Sequence, residues 1–228
     1  VTKTYDGTTS ANGGATVSNL KTNDVVTVSG VGGFVDKNVG TNKSYSMTGL
    51  TLSGADAGNY YLTSTTASGT GTITAKAITI SGITANNKVY DQGTSATTNT
   101  AGASGWIAGD NIGLTATGVF DNKNVGNGKT VTLTSSYSGP DAGNYTITDQ
   151  TTTTANITPK AITISGITAG NKTYDGLTAA TVDTTAATGW IAGDNIGLSA
   201  AGAFDNKNVG TGKTVMLTSS YNGADAGN

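Results

Sequence analysis

Gly139-Pro140-Asp141-Ala142-Gly143-Asn144-Tyr145 is the stretch that decides the fold. Its skeleton stands also at Gly54 to Tyr60 and again at Gly223 to Asn228. Working outward from it gives a long period. Lys88 to Asn144 matches Lys172 to Asn228 at a constant offset of 84, with no insertion. Gly105-Trp106-Ile107-Ala108-Gly109-Asp110-Asn111-Ile112-Gly113-Leu114 recurs letter for letter from Gly189 to Leu198. The first copy is more diverged: Tyr5 precedes Tyr90 by 85 residues and Phe34 precedes Phe120 by 86, the small insertions and deletions that loops tolerate.

The copies join through Ile73-Thr74-Ala75-Lys76-Ala77-Ile78 and Ile157-Thr158-Pro159-Lys160-Ala161-Ile162. Boundaries near Ala75 and Pro159 divide the chain into 1–75, 76–159 and 160–228. By this division repeat 1 lacks an opening Ala-Ile-Thr-Ile strand, repeat 3 lacks whatever follows the third corner, and only the middle repeat is whole. About two residues separate one strand from the next at each boundary, too few for a flexible linker. The expected object is a stiff string of beads, each closed around its own interior and on the order of 35 Å long.

Within the middle repeat, Ala77 to Ile83 predicts a first strand with Ile78 and Ile80 inward. Lys129 to Thr134 alternates, placing Val131 and Leu133 inward and the Thr residues out. Phe120 closes the strand that follows Gly109-Asp110-Asn111. Tyr145 to Ile147 and Ala155 to Ile157 supply the last strands. Six or seven short strands in about 84 residues suit a small sandwich. Asp56, Gly58 and Tyr60, like Asp141, Gly143 and Tyr145, resemble the corner that opens the sixth strand of immunoglobulin-like domains, where the Tyr hydroxyl ties back to backbone. The fold expected is therefore all-β: tandem immunoglobulin-like β-sandwich repeats of about 84 residues.

Composition agrees. The 228 residues contain no Cys, His, Arg or Glu. Thr, Val and Ile suit a pleated, half-buried surface, and Gly and Asn suit tight turns. A net charge of -2 with dispersed Lys makes no basic stripe for nucleic acid. No run of apolar residues is long enough to span a membrane.

Three ordered motifs recur: Lys-x-Tyr-Asp-Gly; Phe-x-Asp-Lys-Asn-Val-Gly at Phe34 to Gly40, read Phe-Asp-Asn-Lys-Asn-Val-Gly at Phe120 to Gly126; and Gly-x-Asp-Ala-Gly-Asn-Tyr. The middle copy departs at Gln92-Gly93, where Asp-Gly would be expected. The set resembles the YDG repeat domains of very large bacterial surface proteins, filamentous haemagglutinin-like adhesins among them. That resemblance covers essentially the whole chain. It implies secretion, extracellular display at the bacterial cell surface and a role in adhesion or biofilm formation, with these repeats as stalk. It supplies no catalytic residues.

The residue inventory excludes most chemistry. A hydrolase triad has no His to use, and zinc and most transition metals want His or Cys. Calcium takes oxygens. The candidate ligands are Asp110, Asp121 and Asp141, with Asp194, Asp205 and Asp225 as their equivalents. The competing reading makes them Asx-turn residues, and Val35 stands where Asp121 would be in the first copy. A Lys129–Asn144 isopeptide would suit a stalk; solvated turn residues are the plainer reading. Asn42, Asn144, Asn156 and Asn171 lie in Asn-x-Ser/Thr sequons. A period of 84 and the non-alternating Thr151 to Thr154 run argue against an ice-binding face. Two further readings stay open. Each repeat binds a surface glycan or matrix component, for which Trp106, Tyr137 and Trp190 are the aromatic residues to inspect. Alternatively, incomplete end repeats accept strands from neighbouring copies and build a filament.

Overall fold

The structure is a computed structural model that describes residues 1–228. The chain is all-β; its helical pieces are single 3-10 turns at Ala57–Asn59 and Ala142–Asn144. No helix is long and apolar enough to cross a membrane.

Two compact units form. The first gathers Val1–Ile83, Asn99–Ala116 and Thr134–Thr151, and the second gathers Thr84–Thr98, Thr117–Leu133 and Thr152–Asn228. Each unit takes residues from two consecutive sequence repeats. The expectation of beads closed separately around their own interiors changes in that respect: compactness follows the meeting of consecutive repeats.

In the first unit a four-stranded sheet runs in the order Thr2–Thr4, Ala67–Thr74, Gly40–Ser53, Thr27–Phe34. The first pair is parallel and the others antiparallel. Tyr5, Phe34, Tyr45, Met47, Leu50 and Ile73 bury its apolar face. The Phe34 and Tyr45 rings meet edge-on, 5.4 Å apart. Lys76–Thr79 follows Ala67–Thr74 after a single residue and pairs in parallel with Tyr145–Thr148. Ile78, Ile80 and Ile83 are buried, as their spacing predicts.

In the second unit, Thr152–Thr158 pairs antiparallel with residues 126–132 and parallel with Lys88–Val89. Val131 and Leu133 are buried, as are Phe120, Tyr90 and Ile157, while Thr130 and Thr132 are exposed. That split is what period-two alternation dictates for a strand with one buried face. Val215–Asn222 pairs along its length with Gly197–Phe204, which pairs with Ala179–Ala180.

Candidate inter-repeat joint

The three corners share one local frame. Gly54, Gly139 and Gly223 hold φ of 116°, 99° and 104°. A Cβ on these glycines would lie 2.2–2.4 Å from the carbonyl oxygens of Val25, Asn111 and Asn195 respectively. Positive φ and this close approach both demand Gly. The following Asp then closes the corner. Asp56 Oδ2 accepts the Val25 N–H at 2.8 Å, Asp141 Oδ2 the Asn111 N–H at 2.8 Å, and Asp225 Oδ2 the Asn195 N–H at 2.9 Å. Each corner is thus clamped to the Gly-Asp-Asn turn, or its first-copy counterpart Asn23-Asp24-Val25, about 30 residues upstream.

The corner Tyr adds a second clamp. Tyr145 accepts the Ile107 N–H at 3.0 Å and donates to the Asp110 carboxylate. Tyr60 accepts the Lys21 N–H at 2.9 Å and donates to Asp24 at 2.5 Å. The expected tie to backbone is present, but the hydroxyl receives an N–H and spends its own proton on an aspartate.

On this frame the preceding repeat docks. Tyr5 Oη donates to both Asp110 oxygens at 2.9 and 2.8 Å, and its ring meets the Tyr145 ring edge-on at 5.3 Å. Lys37 Nζ lies 2.8 Å from Asp110 and 2.7 Å from Asp141, bridging the two carboxylates, and stands 5.8 Å from the Tyr5 ring centroid. Asn144 accepts the Val39 N–H at 2.9 Å and donates to Asn38 at 3.2 Å. The Lys-x-Tyr-Asp and Asp-Lys-Asn-Val motifs of one repeat therefore meet the Gly-Asp-Asn and Asp-Ala-Gly-Asn-Tyr motifs of the next.

The second unit builds the same joint one period later. Tyr90 donates to Asp194 at 2.7 Å, and Lys123 Nζ lies 2.7 Å from Asp225 and 3.8 Å from Asp194. Asn228 accepts the Val125 N–H at 2.9 Å. Here Gln92, the departure from Asp-Gly, takes the left-handed φ of 66° where Gly7 and Gly176 have 80° and 82°. Its amide donates to Asp194 at 2.7 Å and to the Ala192 carbonyl at 3.1 Å. Two bonds to the next repeat offset the cost of a non-glycine residue at positive φ.

The electrostatics follow from this packing. Asp110 and Asp141 are nearly buried and would repel each other if left alone; one ammonium between them removes the conflict. Burial alone would push the Asp110 carboxyl up, but hydrogen bonds from Lys37, Tyr145 and Tyr5 outweigh it and hold it below the usual carboxylate range. Asp141 is lowered by Lys37 and by the Asn111 N–H. Lys37 is raised by Asp110 and Asp141. Burial and the Asp110 charge push the Tyr145 phenol up to about 12.

The candidate residues fall as follows. Asp110 and Asp141 meet at one joint, and Asp194 and Asp225 at the other, each pair around a lysine ammonium where a calcium reading would put the ion. Asp121 pairs with Lys129 at 2.8 Å, and Asp205 with Lys213 at 2.9 Å. No three acidic side chains converge on one point. Lys129 also donates to Asn122 at 2.7 Å, while the Asn144 amide is engaged by Val39 and Asn38. Among the sequons, Asn144 is 3% exposed, whereas Asn42 and Asn171 lie at the surface. Trp106, Tyr137 and Trp190 are each half-buried, and Tyr137 donates to Asp149 at 2.6 Å. Gly58 and Gly143 sit in the 3-10 turns with open space where a Cβ would be. Sequence reasoning missed Lys37, Lys123, Tyr5 and Tyr90 as site residues. Their signal was recurrence of Lys and Tyr at fixed places in motifs that otherwise form turns.

Three segments, residues 1–67, 74–154 and 158–228, match the family model described as YDG domain. The chain belongs to the YDG domain family. Comparison with curated proteins and with solved structures gave no match. The tyrosine and aspartate of the YDG signature part company here. Tyr5 and Tyr90 reach into the next repeat, whereas Asp6 and Asp91 turn back to pair with Lys3 and Lys88, each at 2.6 Å.

Proposed function

We propose that this chain is a spacer segment of a secreted bacterial cell-surface adhesin or extracellular filament. Its YDG repeats set distance and hold a binding region carried elsewhere in the protein, in the service of adhesion or biofilm formation. The segment is not an enzyme. The observation that carries this reading is where the recurring polar residues go: Tyr5, Lys37, Asp110, Asp141 and Asn144, and their counterparts one period on, join consecutive repeats. A part whose signature residues are used on joints is suited to transmitting position. Support also comes from spacing, since a single residue separates the closing strand of the first repeat from the opening strand of the second. At finer grain each repeat is an immunoglobulin-like sandwich of about 84 residues, a reading supported by the offset and by the inward alternation around Val131 and Leu133.

Small-angle scattering on arrays of two, three and four repeats tests it. The maximum dimension should rise by a constant increment, on the order of 35 Å per added repeat. A dimension that stops growing, or increments that scatter with repeat number, would sink the spacer reading.

A further inference from the structure

One turn keeps its backbone in all three copies and changes its side chain. Asp6 Oδ1 accepts the Thr8 N–H at 2.9 Å, Asp91 Oδ1 the Gly93 N–H at 2.8 Å, and Asp175 Oδ1 the Leu177 N–H at 2.9 Å. The residue inside that loop is Gly7, Gln92 or Gly176, each in left-handed backbone. Glycine takes this conformation at no steric cost, so nothing within the turn calls for a glutamine.

What calls for it lies in the following repeat. Gln92 Nε2 donates to the Ala192 carbonyl at 3.1 Å and to Asp194 at 2.7 Å. A Cβ on Gly193, between these two acceptors, would stand 3.6 Å from the same Nε2. The first joint presents a matching surface. Gly105 to Leu114 repeats Gly189 to Leu198 letter for letter. The Asp110 and Asp194 N–H groups donate to the carbonyls of Ile107 and Ile191 at 3.2 and 3.1 Å, and Gly109 and Gly193 hold φ of 96° and 97°. There is also room. A Cβ on Gly7 would meet only the Ile107 side chain, at 3.6 Å or more, and one on Gly109 would meet nothing within 4 Å. The first repeat's own turn differs: Asn23, at φ 77°, stands where the others have Gly109 and Gly193. A side chain of that length facing Gln92 would contend with its amide for the same space.

We propose that the residue after Tyr-Asp sets how firmly a repeat grips its successor, and that glutamine there works with glycine at the centre of the facing turn. The partner is the next repeat of the chain, recognised through a main-chain carbonyl and a carboxylate on either side of that glycine. A glutamine-bearing repeat suits a successor with Ala-Gly-Asp and suits poorly one with Thr-Asn-Asp, as at Thr22 to Asp24. The order of repeats along an array is then written partly in this pair of positions. The inference concerns the joint itself and stands or falls separately from the spacer reading.

Amide hydrogen exchange of the intact 228-residue protein tests it. Gly and Asn both accept left-handed backbone at least as readily as Gln, so Gln92→Gly and Gln92→Asn remove the reach without adding strain. In both, exchange at Val125 and Asn195 should quicken about tenfold, while Val39 and Asn111 of the first unit stay as they were. Gly7→Ala carries the backbone strain alone, so Gly7→Gln is measured against it; Val39 and Asn111 should exchange about tenfold more slowly in the glutamine variant. Gly193→Asn should quicken Val125 and Asn195 more in the parent protein than in Gln92→Gly, where the strain at residue 193 is the same and no amide faces it. Unchanged exchange at Val125 and Asn195 in both Gln92 variants would overturn the grip, as would Gly7→Gln exchanging like Gly7→Ala. Equal effects of Gly193→Asn in the two backgrounds would overturn the pairing of glutamine with glycine.

Discussion

Tyr145 and Tyr60 occupy the same place in the same motif, and only Tyr145 is buried. Both corners turn at a positive-φ glycine, both clamp an Asp to a backbone N–H upstream, and both tyrosines donate to an aspartate. At Tyr145, Tyr5 and Lys37 come from the preceding repeat and cover the site. The difference separates two layers of design. The corner is local and forms in every copy, whereas the joint exists only where a neighbour brings its tyrosine and lysine. The partners on the other side of each joint, Tyr5 and Tyr90, are 1% and 2% exposed.

The widest break in that comparison should come from the aspartate shared by two tyrosines. Asp110→Ala removes the partner of Tyr5, Tyr145 and Lys37 together, and should destabilise the first unit by about 3–5 kcal/mol. Asp24→Ala, at the uncovered corner, should cost about 1 kcal/mol. Denaturant unfolding of the two variants measures the gap, and equal losses would remove the distinction between corner and joint.

Glycine should behave the opposite way. Gly139→Ala and Gly54→Ala each drive a Cβ into a carbonyl at positive φ, and each should cost about 2–3 kcal/mol. The two losses should agree, because the strain is local. A large excess at Gly139 would show that the joint depends on the corner more than the shared frame suggests.

Acid and base should sharpen the same contrast. The carboxyls of Asp110 and Asp141 are lowered by folding, so their stabilisation is complete above about pH 4, the unfolded value, and is lost as pH falls through their depressed values. Lys37 and Tyr145 are raised, so theirs is complete below about pH 10 and is lost above it, for Tyr145 as pH climbs through about 12. The unfolding midpoint should therefore be flat from about pH 5 to 9 and fall on both sides. In Asp110→Asn the acid fall should be shallower.

The smallest effect expected is that of calcium. With a lysine between the paired aspartates, neither added calcium nor a chelator should move the midpoint. A rise with calcium that vanishes in Asp141→Asn would mean that the ion competes with Lys37.

Much of this was legible in the chain. Alternation at Val131 and Leu133 and at Ile78 and Ile80 placed the inward faces, because a strand with one buried side cannot keep any other period. The corner residues were legible for a related reason: glycine at positive φ and an Asp one or two residues on are local requirements. Lys37 and Tyr5 escaped, since nothing near them in sequence marks a partner 73 or 105 residues away. Asp110 and Asp141 drew attention as carboxylates, but a calcium site and an ammonium bridge both call for clustered acids, and only geometry tells them apart.

By itself the sequence determined an all-β chain of three related copies, the turns that link its strands and the residues each strand buries, since these depend on neighbours within a few positions. Tertiary structure alone decided that consecutive copies close a shared joint, and which copies of Tyr, Lys and Asp lie in it. Coulomb attraction and burial act through space, and the same side chain is covered or bare according to what the fold sets against it.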